Sequence, residues 1–204
     1  MHSEQILTFK KLFGHLHTIR THRKWVRKYC RYAGIWWRGI THDLSKYSPA
    51  EFFESARYWD GKSSPIPKIK KDNNGISKAW QHHKGRNTHH YEYWMDNFDA
   101  GGQAHLMPQN DFVEMVCDML AASATYNNGE KTFLKCNEFW KAHKERGCAM
   151  NKQNQIMLDI VLSDLEYAEA NAGFFRHILS PIELLKKHHI QAVYNANKDE
   201  RKYV

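Results

Sequence analysis

The stretch Gln109–Tyr126, QNDFVEMVCDMLAASATY, indicates the fold class more clearly than any other part of the chain. Its apolar residues recur at three- and four-residue spacing, which predicts one long helix with a buried face. Similar spacing occurs in most of the remaining sequence. No segment of convincing length alternates polar and apolar residues in the way that a strand does. The sequence therefore predicts an all-α protein.

Helix signals on either side of this stretch outline the rest of the fold. Before residue 35 we expect two helices, one over Ile6–Leu16 and a second that ends at Gly34. Ser48 and Glu51 have capping-box spacing, which predicts that another helix starts there. Residues 60–76 are rich in Gly, Pro and Asn and predict a long loop. Further helices are expected over 77–94, 131–146, 153–172 and 181–196.

Length and charge limit the class of protein. The 204 residues fit one domain, 1–204, with a metal-binding core at about 20–126 and a C-terminal helical extension at about 130–196. The net charge of +8 favours a phosphate-bearing partner, either a nucleotide or a nucleic acid. Charge alone, however, hardly distinguishes such a partner from solvated helix faces. The oligomeric state stays open.

The sequence carries no signal for a membrane or for secretion. It has no run of about 18 apolar residues, so no membrane span is expected. The first 16 residues lack the apolar core of a signal peptide. The four cysteines show no CxxC spacing and are expected to be reduced. These features predict a cytoplasmic protein.

Candidate metal ligands are spread along the chain. The adjacent His42 and Asp43 offer one imidazole nitrogen and one carboxylate oxygen to the same point, a mixture that suits Fe, Mn, Co or Zn. Asp118 lies among apolar residues, where a carboxylate is unfavourable unless it is paired or metal-bound. A helical bundle can collect such ligands from facing helices. We expect a site formed by His22, His42, Asp43 and Asp118. The alternative is a set of buried histidines bonded to the backbone, with Asp43 as a helix cap.

A cluster of four histidines, His82, His83, His89 and His90, suggests a second metal position. On a continuous helix His83 and His90 share one face, and the other two histidines share the neighbouring face. If Gly85 breaks the helix, His83 can converge with His89 or His90, and His82 is left towards solvent. We therefore predict that His83, His89 and His90 hold a second ion. The alternative is a basic surface stripe that binds phosphate without a metal.

The order of these residues resembles the HD phosphohydrolase superfamily, and more narrowly its binuclear members such as HD-GYP phosphodiesterases and the HD nucleases of type I CRISPR effectors. His42-Asp43-Leu44-Ser45-Lys46 is similar to the HD-x-x-K motif, whose lysine contacts substrate phosphate. The block His22–Trp94 looks like a bacterial and phage family within that superfamily, which would place the protein in a bacterial or host cytoplasm. No GYP triplet occurs, and the interval between His83 and His89 is much shorter than in HD-GYP proteins.

The resemblance implies an HD-like helical bundle with additional C-terminal helices. It also implies a metal-dependent phosphohydrolase that acts on a nucleotide or phosphodiester. One or two divalent ions (Fe, Mn, Co, Zn, Ni or Mg) would activate a water. Asp43 would position this water, and Lys46, Arg86 and Asn87 would hold the phosphate. The alternatives are an HD-type DNA or RNA nuclease, a di-iron oxygenase of the same fold, and a non-catalytic accessory protein that binds nucleic acid.

Two glutamates are candidates for orienting a metal-binding imidazole. Glu92 follows His90 by two residues, and Glu114 precedes Asp118 by one helical turn. A carboxylate that accepts the second ring N–H of a ligating histidine fixes the orientation of the ring. For Glu114 a structural salt bridge is an equal expectation, and Glu92 is as well explained as a surface residue.

Overall fold

A single helix, α1 (Phe9–Tyr32), occupies the region where the sequence predicts two helices. The computed structural model describes residues 5–171 and 190–195. The Thr8 hydroxyl accepts a hydrogen bond from the Lys11 amide at 3.3 Å and caps the start of α1. Gly34, at φ 76°, follows its end. The expected break is wrong because the segment between the two predicted helices contains no residue that interrupts a helix.

Shorter helices follow up to residue 100, and longer ones beyond it. The helices are α2 (Trp36–Thr41), α3 (Pro49–Arg57), α4 (Ile66–Asp72), α5 (Lys78–Lys84), α6 (Gln109–Tyr126), α7 (Thr132–Glu145) and α8 (Lys152–Ala170). Short 3₁₀ segments lie at Leu44–Tyr47, Tyr91–Trp94 and Phe98–Ala100. Two antiparallel strands of two residues each, β1 (Met95–Asp96) and β2 (Gln103–Ala104), are the strands of the described part of the chain. The all-α prediction is confirmed.

Two segments differ from the sequence predictions. Residues 60–76 do not form one long loop, because α4 lies within them and buries Ile69 completely. The helix expected to run to Trp94 ends at Lys84, and the amides of Arg86 and Asn87 both donate to the His83 carbonyl. The predicted C-terminal helix, 181–196, lies mostly outside the described residues; 190–195 are helical.

The predicted capping box at the start of α3 is wrong. The Ser48 side chain makes no capping hydrogen bond. Glu51, three residues later, does not reach back to the cap but accepts from two histidines of α5. A buried carboxylate gains more from two imidazole donors than from one exposed amide, because charge-assisted hydrogen bonds are the stronger ones.

The core is formed where α1 packs against α6, with α2 and α3 packed on other parts of α1. Val26 and Cys30 of α1 and Val116 and Leu120 of α6 are fully buried there. Helices α7 and α8 pack on each other and continue the same hydrophobic cluster. All four cysteines are free, as expected. Within residues 5–171 and 190–195, no helix is both long and apolar enough to cross a bilayer. The α1–α6 contact brings His22 and Asp118 onto facing helices.

Candidate metal centre

The His42-Asp43 pair lies at a sharp turn. Helix α2 ends at Thr41, His42 has φ −51° and ψ 130°, and Asp43 is left-handed at φ 53°. Successive residues of a helix point about 100° apart, so the turn is what directs both side chains to one point. The Arg23 guanidinium donates to the His42 carbonyl at 3.0 Å and holds the turn against α1.

Four side chains from three parts of the chain converge at the first candidate position: His22, His42, Asp43 and Asp118. Asp118 Oδ1 lies 3.0 Å from His22 Nε2 and 3.3 Å from His42 Nε2. Asp43 Oδ2 lies 3.1 Å from His42 Nε2 and 3.6 Å from His22 Nε2. The structure therefore brings together the four residues that the sequence proposed as a first site.

The second candidate position joins Asp43 to three histidines: His83, His89 and His90. Asp43 Oδ1 lies 3.4 Å from His83 Nε2 and 3.5 Å from His89 Nε2. The break after Lys84 allows this arrangement, because His83 stays on α5 while His89 and His90 approach from the following turn. Both His89 and His90, which the sequence offered as alternatives, belong to the group.

The two positions share Asp43. Its Oδ2 faces the first group and its Oδ1 faces the second, so one carboxylate can bridge two ions. Neither Asp43 oxygen has a hydrogen bond of ordinary geometry, and Oδ2 forms an ion pair with Lys46. Nε2 of four of the histidines, namely His22, His42, His89 and His90, is likewise buried without a hydrogen bond. Buried polar atoms are almost always hydrogen-bonded, so this many buried ring nitrogens around one carboxylate are typical of metal ligands.

The spacing of these atoms fits a first-row divalent ion. Ligands about 2.0–2.2 Å from a metal, at angles of about 90–110°, lie roughly 2.8–3.6 Å apart. The nitrogen–oxygen distances around Asp43 fall between 3.1 and 3.6 Å. A mixed imidazole and carboxylate set of this kind suits Zn, Fe or Mn. These groups can therefore hold a metal ion.

Glu114 supports the first group from behind. Its Oε1 accepts from His42 Nδ1 at 2.8 Å and lies 3.4 Å from His89 Nδ1. Arg38 donates to the other oxygen of Glu114 and is itself paired with Asp111. His42, His89 and Glu114 also satisfy the geometry of a metal site. We interpret Glu114 as an orienting carboxylate, because Arg38 already neutralises it.

Glu51 supports the second group in the same way. Its Oε2 accepts from His83 Nδ1 at 2.8 Å and its Oε1 accepts from His82 Nδ1 at 2.6 Å. His82, expected to face solvent, is therefore a partly exposed partner of Glu51. The sequence analysis missed Glu51 as a site residue because it assigned this glutamate to a capping box. Glu92 is partly buried, and no described hydrogen bond joins it to the centre.

The electrostatics of the centre are those of a charged cluster held in a buried site. Burial opposes the charged imidazole, but Asp43, with Asp118 and Glu114, outweighs burial and raises the pKa of His42 well above its usual value. Burial equally opposes the Asp43 carboxylate, yet His42, Lys46 and His83 hold its pKa well below the usual range. Burial, together with neighbouring His89 and His83, lowers the pKa of His90. The carboxylates are thus ionised and ready to bind a cation.

The proposed phosphate-binding residues are placed differently from one another. Lys46 lies on the 3₁₀ segment, with Nζ 2.5 Å from Asp43 Oδ2 and its side chain 31% exposed. Asn87 is occupied with the second group, since its amide donates to Ser45 Oγ at 3.0 Å and to the His83 carbonyl at 2.8 Å. Arg86 is exposed, and no described hydrogen bond or ion pair joins it to the centre. Of the three, Lys46 is the one placed at the ligands.

Comparison with known proteins places this arrangement in a family. A family model described as a family of unknown function, DUF5662, matches residues 11–164. The chain belongs to that family. The DUF5662 match spans both candidate ligand groups and both supporting glutamates. Searches of curated proteins and of solved structures found no match.

Proposed function

We propose that the protein is a metal-dependent phosphohydrolase with a two-ion centre. The observation that supports this most directly is the position of Asp43, whose two oxygens face two separate groups of histidines. Two divalent ions held in this way would polarise a phosphoryl oxygen and lower the pKa of a bound water. The ordered sequence His22, His42-Asp43, His83, His89-His90, Asp118, with its resemblance to HD phosphohydrolases, supports the same proposal.

The chain's own residues would bind and position the phosphate ester. Lys46 is partly exposed beside the centre. Its ammonium can contact a phosphate oxygen and remain close to Asp43. Asp118 is also partly exposed, with 16% of its side chain accessible, so the first group is accessible at this carboxylate. Glu51 and Glu114 hold the imidazoles from the protein side. The substrate would approach past Lys46 and Asp118.

The proposal is tested by metal analysis and hydrolysis assays on the purified full chain. We expect at least one divalent ion per chain. We also expect hydrolysis of p-nitrophenyl phosphate, of bis-p-nitrophenyl phosphate or of a nucleotide when Mn or Fe is supplied. Asp43→Asn should lose both metal and activity, because it removes the negative charge and one of the two oxygen ligands, while Asn still tolerates the left-handed backbone. Asp99→Asn, at an exposed position, makes the same charge change and should retain both.

Two results would overturn the proposal. One is full metal content in Asp43→Asn, which would place the ions elsewhere. The other is a fully loaded protein that hydrolyses none of these esters. If the iron-loaded protein instead consumes oxygen with an organic substrate, the alternative of a di-iron oxygenase replaces the hydrolase, because the same kinds of ligand serve both chemistries.

A further inference from the structure

The N-terminal part of the chain is unusually one-sided in charge. Residues 5–42 contain nine lysines and arginines and no aspartate or glutamate. Helix α1, which spans most of this segment, therefore has no acidic partner of its own for its basic side chains. His22 lies within this positively charged segment, and His42 is its last residue. An anionic partner would be attracted to this part of the surface.

A surface cleft lies beside this helix. It has a volume of about 370 Å³ and is lined by Arg27, Arg31, Trp36 and Ile40. Arg27 and Arg31 are one helical turn apart on α1, so they face the same way, and α2 provides the other two residues. The cleft thus combines two arginine side chains on one wall with aromatic and aliphatic side chains on the other.

Two neighbouring tryptophans are exposed at the cleft. Trp36 is 57% exposed and Trp37 is 61% exposed. Their rings meet edge to face, with centroids 5.4 Å apart. Large aromatic side chains placed side by side in solvent often mark a binding surface. An indole face is a platform on which an unpaired base can stack.

Arg23 connects the cleft to the metal centre. It lies one turn before Arg27 on α1 and donates to the carbonyl of Ile40, at the cleft, at 2.7 Å. The same guanidinium donates to the His42 carbonyl and lies 5.3 Å from the centroid of the Tyr47 ring. Tyr47 follows Lys46 directly in the 3₁₀ segment. Basic and aromatic groups therefore continue from the cleft to the ligands.

We propose that these residues form a binding surface for single-stranded nucleic acid, which we call the Arg–Trp surface: Arg23, Arg27, Arg31, Trp36, Trp37 and Ile40. Bases would stack on the tryptophans, and the phosphates would contact the arginines. Single-stranded nucleic acid would then also be the substrate class of the metal centre. This catalytic consequence rests on the proposed function. Binding to the surface itself needs no metal.

Single strands fit this surface better than a duplex or a lipid bilayer. In a duplex the base faces are stacked on one another and cannot reach an indole, whereas a single strand exposes them. A membrane-binding helix presents a continuous apolar face, but here arginines line the same cleft as Trp36 and Ile40. Stacking groups and cations in one cleft match a chain that alternates bases and phosphates.

The test measures binding of a fluorescein-labelled oligothymidylate to the full chain by fluorescence anisotropy, with EDTA present so that nothing is cleaved. Trp36→Ala should weaken binding by about fivefold to a hundredfold, since one stacked base is lost, and Trp36→Phe should restore most of it. The double variant Arg27→Gln with Arg31→Gln should lower the slope of log Kd against log salt concentration by roughly 1.4, because two phosphate contacts are lost.

Matched controls are available elsewhere on the surface. Phe139→Ala removes an aromatic side chain that is 61% exposed on α7. Lys71→Gln with Lys152→Gln removes two exposed positive charges from α4 and α8. Both controls should bind the oligothymidylate with an affinity within about twofold of the wild type, because small surface changes away from a site have small effects.

Three results would overturn the inference. The first is that the control variants weaken oligothymidylate binding as much as the variants of Trp36, Arg27 and Arg31 do. The second is equal or tighter binding of a blunt duplex of the same length. The third is binding to phosphatidylserine vesicles that depends on Trp36 while the oligothymidylate does not bind. Oligonucleotide binding without metal uptake would instead count against the proposed hydrolase and leave the Arg–Trp surface intact.

Discussion

Asp43 combines a left-handed backbone, φ 53°, with a carboxylate that is fully buried. Each property is unfavourable, and strained backbone positions of this kind cost about 1–3 kcal/mol. Arg23 and the salt bridge to Lys46 hold the residue in place. Such strain is found most often at functional sites. At the scale of one residue, the geometry of Asp43 is what brings the two groups of histidines to one carboxylate.

Glu51 provides a way to separate the two positions. It accepts from His83 Nδ1, and His83 belongs to the second group alone. Glu51→Gln should therefore weaken the second position by about 10–100-fold, the usual effect of losing an orienting carboxylate. The first position should stay loaded. Titration of the metal-free protein with Mn or Zn, followed by elemental analysis, would show about one ion per chain instead of two.

The control for Glu51 is Glu92→Gln, which changes a partly buried carboxylate that no described hydrogen bond joins to the centre. It should leave both positions loaded. Equal loss of both ions in Glu51→Gln would contradict the assignment of this glutamate to the second group.

Metal binding should release protons near neutral pH. The pKa of His42 is raised well above its usual value against the effect of burial, by Asp43 first and then by Asp118 and Glu114. We therefore expect this imidazole to carry a proton in the metal-free protein, which it must lose from Nε2 to bind an ion. The affinity for the metal ion should therefore rise with pH and level off once the pH exceeds the raised pKa of His42.

Isothermal titration calorimetry in two buffers of different ionisation enthalpy measures this proton release. At least one proton per chain should be released on binding of the first ion at pH 7. An observed enthalpy that is the same in both buffers would show that His42 was already neutral. Lys135→Gln, which removes an exposed cation on α7, should leave the number of released protons unchanged.

Helix α1 is the element on which the first group depends, and its packing requires a glycine. A Cβ atom at Gly14 would lie 2.3 Å from the Trp59 ring. The Trp59 indole also donates to Thr18 Oγ1 at 2.9 Å, which fixes the ring on α1. The glycine within the helix therefore reflects its contact with a tryptophan.

Gly14→Ala should lower the free energy of unfolding by about 1 kcal/mol. Forcing a methyl group against a packed ring costs about 1–3 kcal/mol, and the better helix propensity of alanine returns at most about 1 kcal/mol. Urea denaturation would measure the difference. Arg20→Ala, at an exposed position of the same helix, should change stability by less than about 0.5 kcal/mol. A Gly14→Ala protein as stable as the wild type would show that Trp59 can move aside.

The metal centre joins elements that are distant in sequence. Its ligands come from α1, the turn after α2, α5 with its following turn, and α6. An ion that binds only the folded chain stabilises it by mass action, and here it would also offset repulsion between Asp43 and Asp118. At the scale of the whole molecule, the centre is therefore expected to contribute to stability as well as to chemistry.

Removal of the metal should lower the melting temperature. Binding at a hundred times the dissociation constant contributes about 2.7 kcal/mol, which corresponds to roughly 5–10 °C for a chain of this size at about 2–4 °C per kcal/mol. Differential scanning calorimetry before and after chelation measures the shift. Asp43→Asn should melt at one temperature with and without the chelator. An equal shift in that variant would locate the stabilising ion outside the centre.

The sequence alone was sufficient for the fold class and for the set of candidate ligands. Helical periodicity is a local property, so it showed the all-α character and the helix over 109–126 directly. Residue type alone also drew attention to Asp118, because a carboxylate among apolar neighbours needs a partner. The sequence could not separate one helix from two before residue 35, since Ile19 is the one apolar residue in 17–24 and a local pattern cannot tell a break from a polar stretch of one helix.

Only the tertiary structure decided how the ligands are arranged. The left-handed turn at Asp43, the approach of both His89 and His90, and the supporting contacts of Glu51 and Glu114 all depend on helices that meet from distant parts of the chain. A local pattern cannot specify such contacts, because they depend on helix packing and on which carboxylate reaches which imidazole. The sequence therefore determined which residues can bind a metal, and the packing of α1 against α6 determined that they meet around Asp43.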